Sequence, residues 1–305
     1  MNQALRLLHL IPFFSDKNFT VSPGIYHNDT YPACLLVHWG TESYKVRFPG
    51  ILNQNSVQSE KDALKLLAKY NVSGIPQVIT DGIVGDIPYI IEYYINGNSL
   101  DKIHNTLSHE DWEYIAHKIA FFLQELAIIQ SEQSYVFKKP EIKYENYGEI
   151  IKESTYKHLY NHVSSGIMSR SMADCIQKIM EDISLVFDTK ASFLHFDIKP
   201  QNIVFDSKSK EVSFIDYEHS RIGDFTHELF RADMAAIRNP YFAKCWELAK
   251  QEFLSEHFNP FKEVNYPHKL FYYELFHDIS EMTYSVLIND QGQISNHLNN
   301  IMNKL

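Results

Sequence analysis

The hydrophobic period of this chain changes near residue 96, and two different periods cannot belong to one kind of element. Upstream, apolar residues fall in short β-type runs. The segments 32–38 (PACLLVH) and 43–48 (SYKVRF) flank a turn broken by Gly40, which predicts a hairpin. A second hairpin is expected from 76–80 and 88–95, turning through Asp81-Gly82 and Gly85-Asp86. Between the hairpins, apolar residues at 63, 64, 66 and 67 predict a helix over 60–70. Downstream the pattern is helical. Ser108 reads as an N-cap, with Glu110 and Asp111 in the first turn and Trp112, Ile115, Ile119, Leu123, Leu126 and Ile129 on one face. Further helices are expected over 170–187, 225–256 and 268–288, with short β-type runs inserted over 191–217. Asn96-Gly97-Asn98-Ser99 forms a polar break, read as a hinge. The expectation is an α+β chain. A small β-rich lobe occupies 1–95 and a larger, mainly helical lobe occupies 96–305.

Composition narrows the function classes. The chain has 305 residues, 45% of them hydrophobic, which suffices for a large core and excludes a disordered polar chain. Its formal charge of −10 argues against tracking a nucleic-acid backbone, which needs clustered Lys and Arg. The same charge is compatible with a cationic small-molecule partner. Cys34, Cys175 and Cys245 are widely spaced and form no CxxC pair, so a reducing, cytoplasmic setting is expected. Arg6 and His9 interrupt the apolar start of the chain, which reads as a short amphipathic helix rather than a signal peptide. No apolar run approaches the roughly 18–20 residues of a membrane span, so no membrane partner is expected.

The most specific segment is 191–224, ASFLHFDIKPQNIVFDSKSKEVSFIDYEHSRIGD. Asp197 follows His195 by two residues, and Asn202 follows Asp197 by five. Asp216 ends the apolar run Val212–Ile215. Phosphoryl transfer needs a carboxylate to orient the attacking hydroxyl and accept its proton. It also needs oxygen ligands for magnesium on the phosphates. A loop carrying Asp197 and Asn202, with a hairpin returning Asp216 to it, supplies those groups.

This H-x-D-x-x-x-x-N run, followed by Ile215-Asp216-Tyr217-Glu218, resembles the catalytic core of the protein-kinase-like superfamily. The Asp-Tyr-Glu form is similar to its small-molecule branch, the aminoglycoside phosphotransferase and choline/ethanolamine kinase family. That resemblance implies a bilobal kinase-like fold and an ATP- and magnesium-dependent enzyme. It makes Asp197 the catalytic base and His195 a brace for the loop, with Asn202 and Asp216 as metal ligands. It also implies a basic strand residue on the phosphates, held by a helix Glu. Arg47, in Arg47-Phe48-Pro49-Gly50, fits that position best. Lys45 shares its parity and therefore its face, and Glu60 is the implied helix carboxylate. A phosphate-covering turn is expected at Pro23-Gly24, with Gly24 supplying backbone N–H groups. The adenine is expected against the backbone of 92–95, which includes Glu92 and Tyr94.

Lys199 makes the loop Asp197-Ile198-Lys199-Pro200-Gln201-Asn202 similar to that of serine/threonine protein kinases. A lysine there would neutralise the transferring phosphoryl group. No Asp-Phe-Gly or Ala-Pro-Glu follows, so a protein-kinase-like enzyme stands as the alternative, together with a catalytically silent kinase-like binding module. The acceptor expected is a small hydroxylated molecule, of choline/ethanolamine or aminoglycoside type. Glu274, Asp278 and Glu281, among the aromatics of 266–284, are candidates to hold its cationic group, against the alternative of a helix with core aromatics and solvated acids.

Overall fold

The computed structural model describes residues 2–22, 34–49, 55–187, 191–256 and 265–305. The small lobe opens with α1 (Asn2–Leu10), followed by β1 (Thr20–Ser22), β2 (Cys34–Trp39), β3 (Glu42–Arg47), α2 (Ser56–Lys69), β4 (Val78–Val84) and β5 (Ile87–Tyr93). The five strands form one antiparallel sheet in the order β1-β2-β3-β5-β4. Alternation along β2 and β3 sends Leu35, Val37, Tyr44 and Val46 to one face, where Leu7, Leu8, Ile11 and Phe14 cover them. Lys45 and Arg47 take the opposite face, as their parity requires. There α2 packs through Ala63, Leu64 and Leu67 into the main core.

Two local expectations change. The second hairpin turns at Gly85-Asp86 rather than across 81–86. Both residues have positive φ, 52° and 66°, as a tight two-residue hairpin turn demands. Asp81 and Gly82 therefore lie within β4. The helix expected from 60 starts at Ser56, one turn earlier.

The break at 96–99 is anchored to the helical lobe. Its β6 (Asn98–Ser99) leads into α3 (Leu100–Ile103) and α4 (His109–Ala127). The Ser108 hydroxyl accepts from the Asp111 amide while Asp111 accepts from the Ser108 amide, closing a capping box on α4. Beyond lie β7 (Gln130–Ser131), β8 (Tyr135–Val136), α5 (Tyr147–Ser164) and α6 (Arg170–Met180). Then follow β9 (Ala191–Leu194), β10 (Ile203–Asp206), β11 (Glu211–Phe214) and β12 (Arg221–Gly223). The chain closes with α7 (Phe225–Arg238), α8 (Pro240–Glu256), α9 (Tyr266–Leu287) and α10 (Gln291–Met302). Strand β6 pairs with β10, Val204 opposite Ser99, so the inter-lobe segment enters the sheet β11-β10-β6. Among the described residues, no helix is long and apolar enough to cross a membrane.

The helix expected over 170–187 ends at Met180, and a short 3-10 turn at Ile183–Leu185 follows. The one expected over 225–256 is two, because Pro240 cannot continue the hydrogen-bond ladder of α7 and starts α8 instead. Helix α5 lacks a strong apolar stripe of its own, so periodicity does not announce it, whereas α10 carries Ile294, Leu298 and Ile301 on one face and is not among the helices expected. At the start of α7, the Asp224 side chain accepts from the Thr226 amide and pairs with the fully buried Lys269 of α9 at 2.8 Å. Asp224 therefore caps α7, and α9 is tied to that cap.

Candidate active site

The loop between β9 and β10 and the turn after β11 meet beneath the small-lobe sheet. The His195 ring is buried and fixed at both nitrogens. Its Nε2 donates to the Ile215 carbonyl at 3.1 Å, and its Nδ1 accepts from the Asp197 amide at 3.3 Å. Burial holds its pKa below the usual histidine range, so the ring bridges the two loops as a neutral group. Asn202 donates through Nδ2 to the Asp197 carboxylate at 2.8 Å and to the Asp197 carbonyl at 3.0 Å. That leaves the Asn202 amide oxygen as its acceptor end. Lys199 Nζ lies 2.7 Å from the same Asp197 oxygen that Asn202 engages.

Backbone conformation aims these groups. Phe196 and Asp216 are non-glycine residues with positive φ, 68° and 71°. Such conformations cost energy and persist where neighbours over-determine them. For Phe196 the neighbour is Glu228 of α7, whose carboxylate accepts the Phe196 amide at 2.7 Å.

Above the loops, Arg47 binds three carboxylates. Its guanidinium donates to Glu60 at 2.6 Å, to Asp216 at 3.2 Å and to Glu218 at 2.5 Å. Burial would push the Asp216 carboxyl up, but Arg47 outweighs it and holds Asp216 below the usual range. Glu218 falls to about 2, against burial, through His219 and Arg47. Lys45 sits beside this cluster, 3.4 Å from Glu60 and 3.0 Å from Glu92. Glu92 is fully buried, and that burial lifts its carboxyl to about 7 despite Lys45.

The expected adenine-reading backbone is partly spent. Glu92 pairs with Lys45 on one side and Val78 on the other, in the middle of the sheet. Its backbone presents no edge to a base, and its carboxylate joins the cation cluster instead. The Tyr94 amide donates to Ser43 at 2.9 Å, so that donor is engaged as well. Gly24 and the turn around it lie outside the described residues.

Beside Asp197 opens a cavity of about 780 Å³, walled by the Asp197 loop, α7 and α9. Of the three acids expected there, Glu281 faces it. Asp278 instead accepts from His297, Asn300 and Lys304 of the C-terminal segment, and Glu274 lies 3.7 Å from Lys304. Most aromatics of α9 pack inward, with Tyr273 fully buried and its hydroxyl 2.7 Å from that of Thr226. The polar wall of the cavity comes from residues the sequence did not single out: Arg221, Arg231, Arg238 and His277. Arg221 lies 3.5 Å over the Phe196 ring, and Arg231 reaches to 4.0 Å from Asp197. Glu218 and Glu228 also escaped sequence reasoning as site residues, although Glu218 belongs to the Asp-Tyr-Glu run.

The arrangement brings Asp197, Lys199, Asn202, Asp216, Arg47, Glu60 and Lys45 to one cleft, braced by His195. Asp216 follows Ile215, whose amide donates to the Asn202 carbonyl at 2.9 Å, so carboxylate and side-chain amide oxygens come from adjoining segments. Magnesium takes such oxygens when phosphates complete its shell, so the donor set fits that ion.

No curated protein sequence matches the chain. Among solved structures, it resembles a protein from Haemophilus somnus 129PT assigned as a fructosamine-3-kinase. The two share 15% identity over 100% of this chain and 98% of that one, with a TM-score of 0.70. It also resembles a thermostable mutant of the aminoglycoside phosphotransferase APH(4)-Ia, at 15% identity over 93% and 94% of the two chains and a TM-score of 0.64. A third is APH(2″)-IIa, solved with streptomycin and ATP, at 16% identity over 97% and 94% and a TM-score of 0.64. These likenesses establish the bilobal kinase-like fold. The sequence model of the phosphotransferase enzyme family matches residues 26–245, more than two thirds of the chain. With that match and the convergence of Asp197, Asn202 and Asp216 in one cleft, the chain belongs to the phosphotransferase enzyme family.

Proposed function

We propose that this phosphotransferase moves the γ-phosphoryl group of ATP to a hydroxyl of a small molecule, with Asp197 as the base. The observation that carries the reading is the convergence on Asp197. Asn202 and Lys199 hold one carboxylate oxygen, and the other faces the cavity side, where Arg231 lies at 4.0 Å. A carboxylate fixed in this way can align a hydroxyl and take its proton as the new O–P bond forms. Residues 1–95 would hold the nucleotide and 96–305 the acceptor, in a cytoplasmic enzyme.

ATP as donor is supported by the nucleotide in the structural neighbour solved with streptomycin. Arg47, fixed by Glu60, would exchange its contacts with Asp216 and Glu218 for phosphate oxygens. Lys45 supports the same corner of the site through Glu60. Lys199 stands where charge builds on the transferred group. Asn202 and Asp216 would hold magnesium, which when bound neutralises charge on the phosphates. His195 keeps the base and the metal-side loop at fixed spacing.

A protein acceptor has less support. Eight residues separate Asp216 from the start of α7, and part of them forms β12, so no long activation segment fits there. A choline- or ethanolamine-like cation also has less support. Glu281, the expected acid that faces the cavity, is already engaged by Arg231 and Arg238.

The test is Asp197→Asn, assayed for magnesium-dependent phosphate transfer from ATP. The expected loss is about 10²- to 10⁴-fold in kcat, with ATP still bound. Undiminished transfer would sink the assignment.

A further inference from the structure

The wall of the cavity opposite Asp197 has more hydrogen-bond donors than acceptors. Arg231 and Arg238 flank His277, at 3.4 Å from its Nδ1 and 3.1 Å from its Nε2. A neutral imidazole has one lone pair to offer, so it can satisfy one of the two guanidinium groups. His277 is neutral here, its pKa lowered to about 4 by burial and then by Arg231. Both arginines also share Glu281, Arg238 at 3.1 Å and Arg231 at a long 3.5 Å. Arg231 Nε is buried without an acceptor among the described residues. One carboxylate thus serves two guanidinium groups, and the longer contacts are at the edge of hydrogen-bond range.

Charge points the same way. Among the described residues lining the cavity, Lys199, Arg221, Arg231 and Arg238 face two carboxylates, Asp197 and Glu281. The cavity is therefore locally cationic in a chain whose net charge is −10. A guanidinium pair with unspent donors is suited to a planar carboxylate or a phosphate, each of which accepts several hydrogen bonds at once. An ammonium group placed there would meet arginines instead of acids.

We propose that the acceptor is a small hydroxylated molecule carrying an anionic group, a phosphate or a carboxylate, which Arg231 and Arg238 bind while its hydroxyl lies on Asp197. The 4.0 Å between Arg231 and Asp197 makes that acceptor compact, with its charge close to the reacting hydroxyl. This inference rests on the phosphotransfer reading and names its substrate class.

Calorimetric titration of the full chain, with ADP and magnesium present, tests it. The probes are gluconate, glucose 6-phosphate, sorbitol and glucosamine, which share a carbon skeleton and differ in charge. At least one anion is expected to bind about tenfold or more tighter than sorbitol and glucosamine, a difference of about 1.4 kcal/mol. Gluconate against glucose 6-phosphate then separates carboxylate from phosphate. Arg238→Glu is expected to erase the preference, and Arg238→Lys, which keeps the charge and serves as the folding control, to retain part of it. Sorbitol or glucosamine binding as tightly as the anions would overturn the proposal. So would a preference that survives Arg238→Glu, or no anion binding at tens of millimolar. The phosphotransfer reading fails by a different result, undiminished transfer in Asp197→Asn.

Discussion

The Phe196 amide donates to the Glu228 carboxylate at 2.7 Å, one residue before Asp197. Phe196 has a φ of 68°, which a side chain of its size rarely adopts. Glu228 comes from α7, 32 residues further along, and is fully buried. The helix thus fixes the backbone that leads into Asp197. The Phe196 ring, held under Arg221, also lines the cavity beside Asp197.

Burial lifts the Glu228 carboxyl to about 7, against the pull of the Phe196 amide and Arg231. A carboxyl with a raised native pKa binds its proton more tightly in the folded chain than in the unfolded one. Its contribution is full below the ordinary carboxylate value and fades as pH rises toward about 7. Glu228→Gln keeps an oxygen for the Phe196 amide and removes the titration. The difference in Tm between variant and wild type is expected to move in the variant's favour from about pH 5 to about pH 8, read by scanning calorimetry. A difference that stays flat over that range contradicts the argument.

Arg47 is the partner that makes three carboxylates tolerable at the lobe junction. Arg47→Gln leaves the fully buried Glu60 with Lys45 at 3.4 Å. Stranding a buried charge outright costs about 3–5 kcal/mol, and Lys45 offsets part of this, so urea unfolding should show a loss below that range. Arg47→Lys should lie between, because an ammonium cannot reach Glu60, Asp216 and Glu218 together as a guanidinium fork does. Equal stability of the two variants would argue against the network.

Lys199 lies 2.7 Å from Asp197, the proposed base, yet is 37% exposed. If it neutralises the transferred group, Lys199→Ala should lower kcat by about 10²- to 10³-fold and leave the KM for ATP little changed. Steady-state kinetics separates this from a solvating role, in which kcat would hardly move.

Gly97 crosses between the lobes with a φ of 116°, and a Cβ there would lie 2.6 Å from the Phe205 carbonyl. The backbone presses on β10 just where β6 joins it. Gly97→Ala adds a strained conformation to a clash with backbone and should cost about 2 kcal/mol or more in unfolding free energy. A variant as stable as wild type would mean that the junction relaxes freely.

Much of this site is legible in the residues themselves. Local spacing carries His195, Asp197, Lys199, Asn202 and Asp216, because one short loop and one hairpin hold them all. Strand parity carries Lys45 and Arg47, since alternation is a property of the strand alone. What escaped depends on contacts between distant segments. Glu92 reads as part of the adenine-facing backbone, yet it lies mid-sheet because β5 is flanked by β3 and β4. Glu274, Asp278 and Glu281 share overlapping helix faces in sequence, but His297 and Asn300 of α10 take Asp278 and Lys304 approaches Glu274. Arg221, Arg231 and Arg238 belong to no short motif, so no spacing could mark them.

The sequence by itself determined the two periods, the order of the elements and the loop that holds His195, Asp197, Lys199 and Asn202 together. These rest on backbone preferences and on residues within a few positions of one another. The tertiary structure decided the charge of the cavity beside Asp197. That charge depends on which side chains of α7, β12 and α9 are turned inward and which acids are already neutralised. Helix packing fixes both, and no local stretch of the chain encodes it.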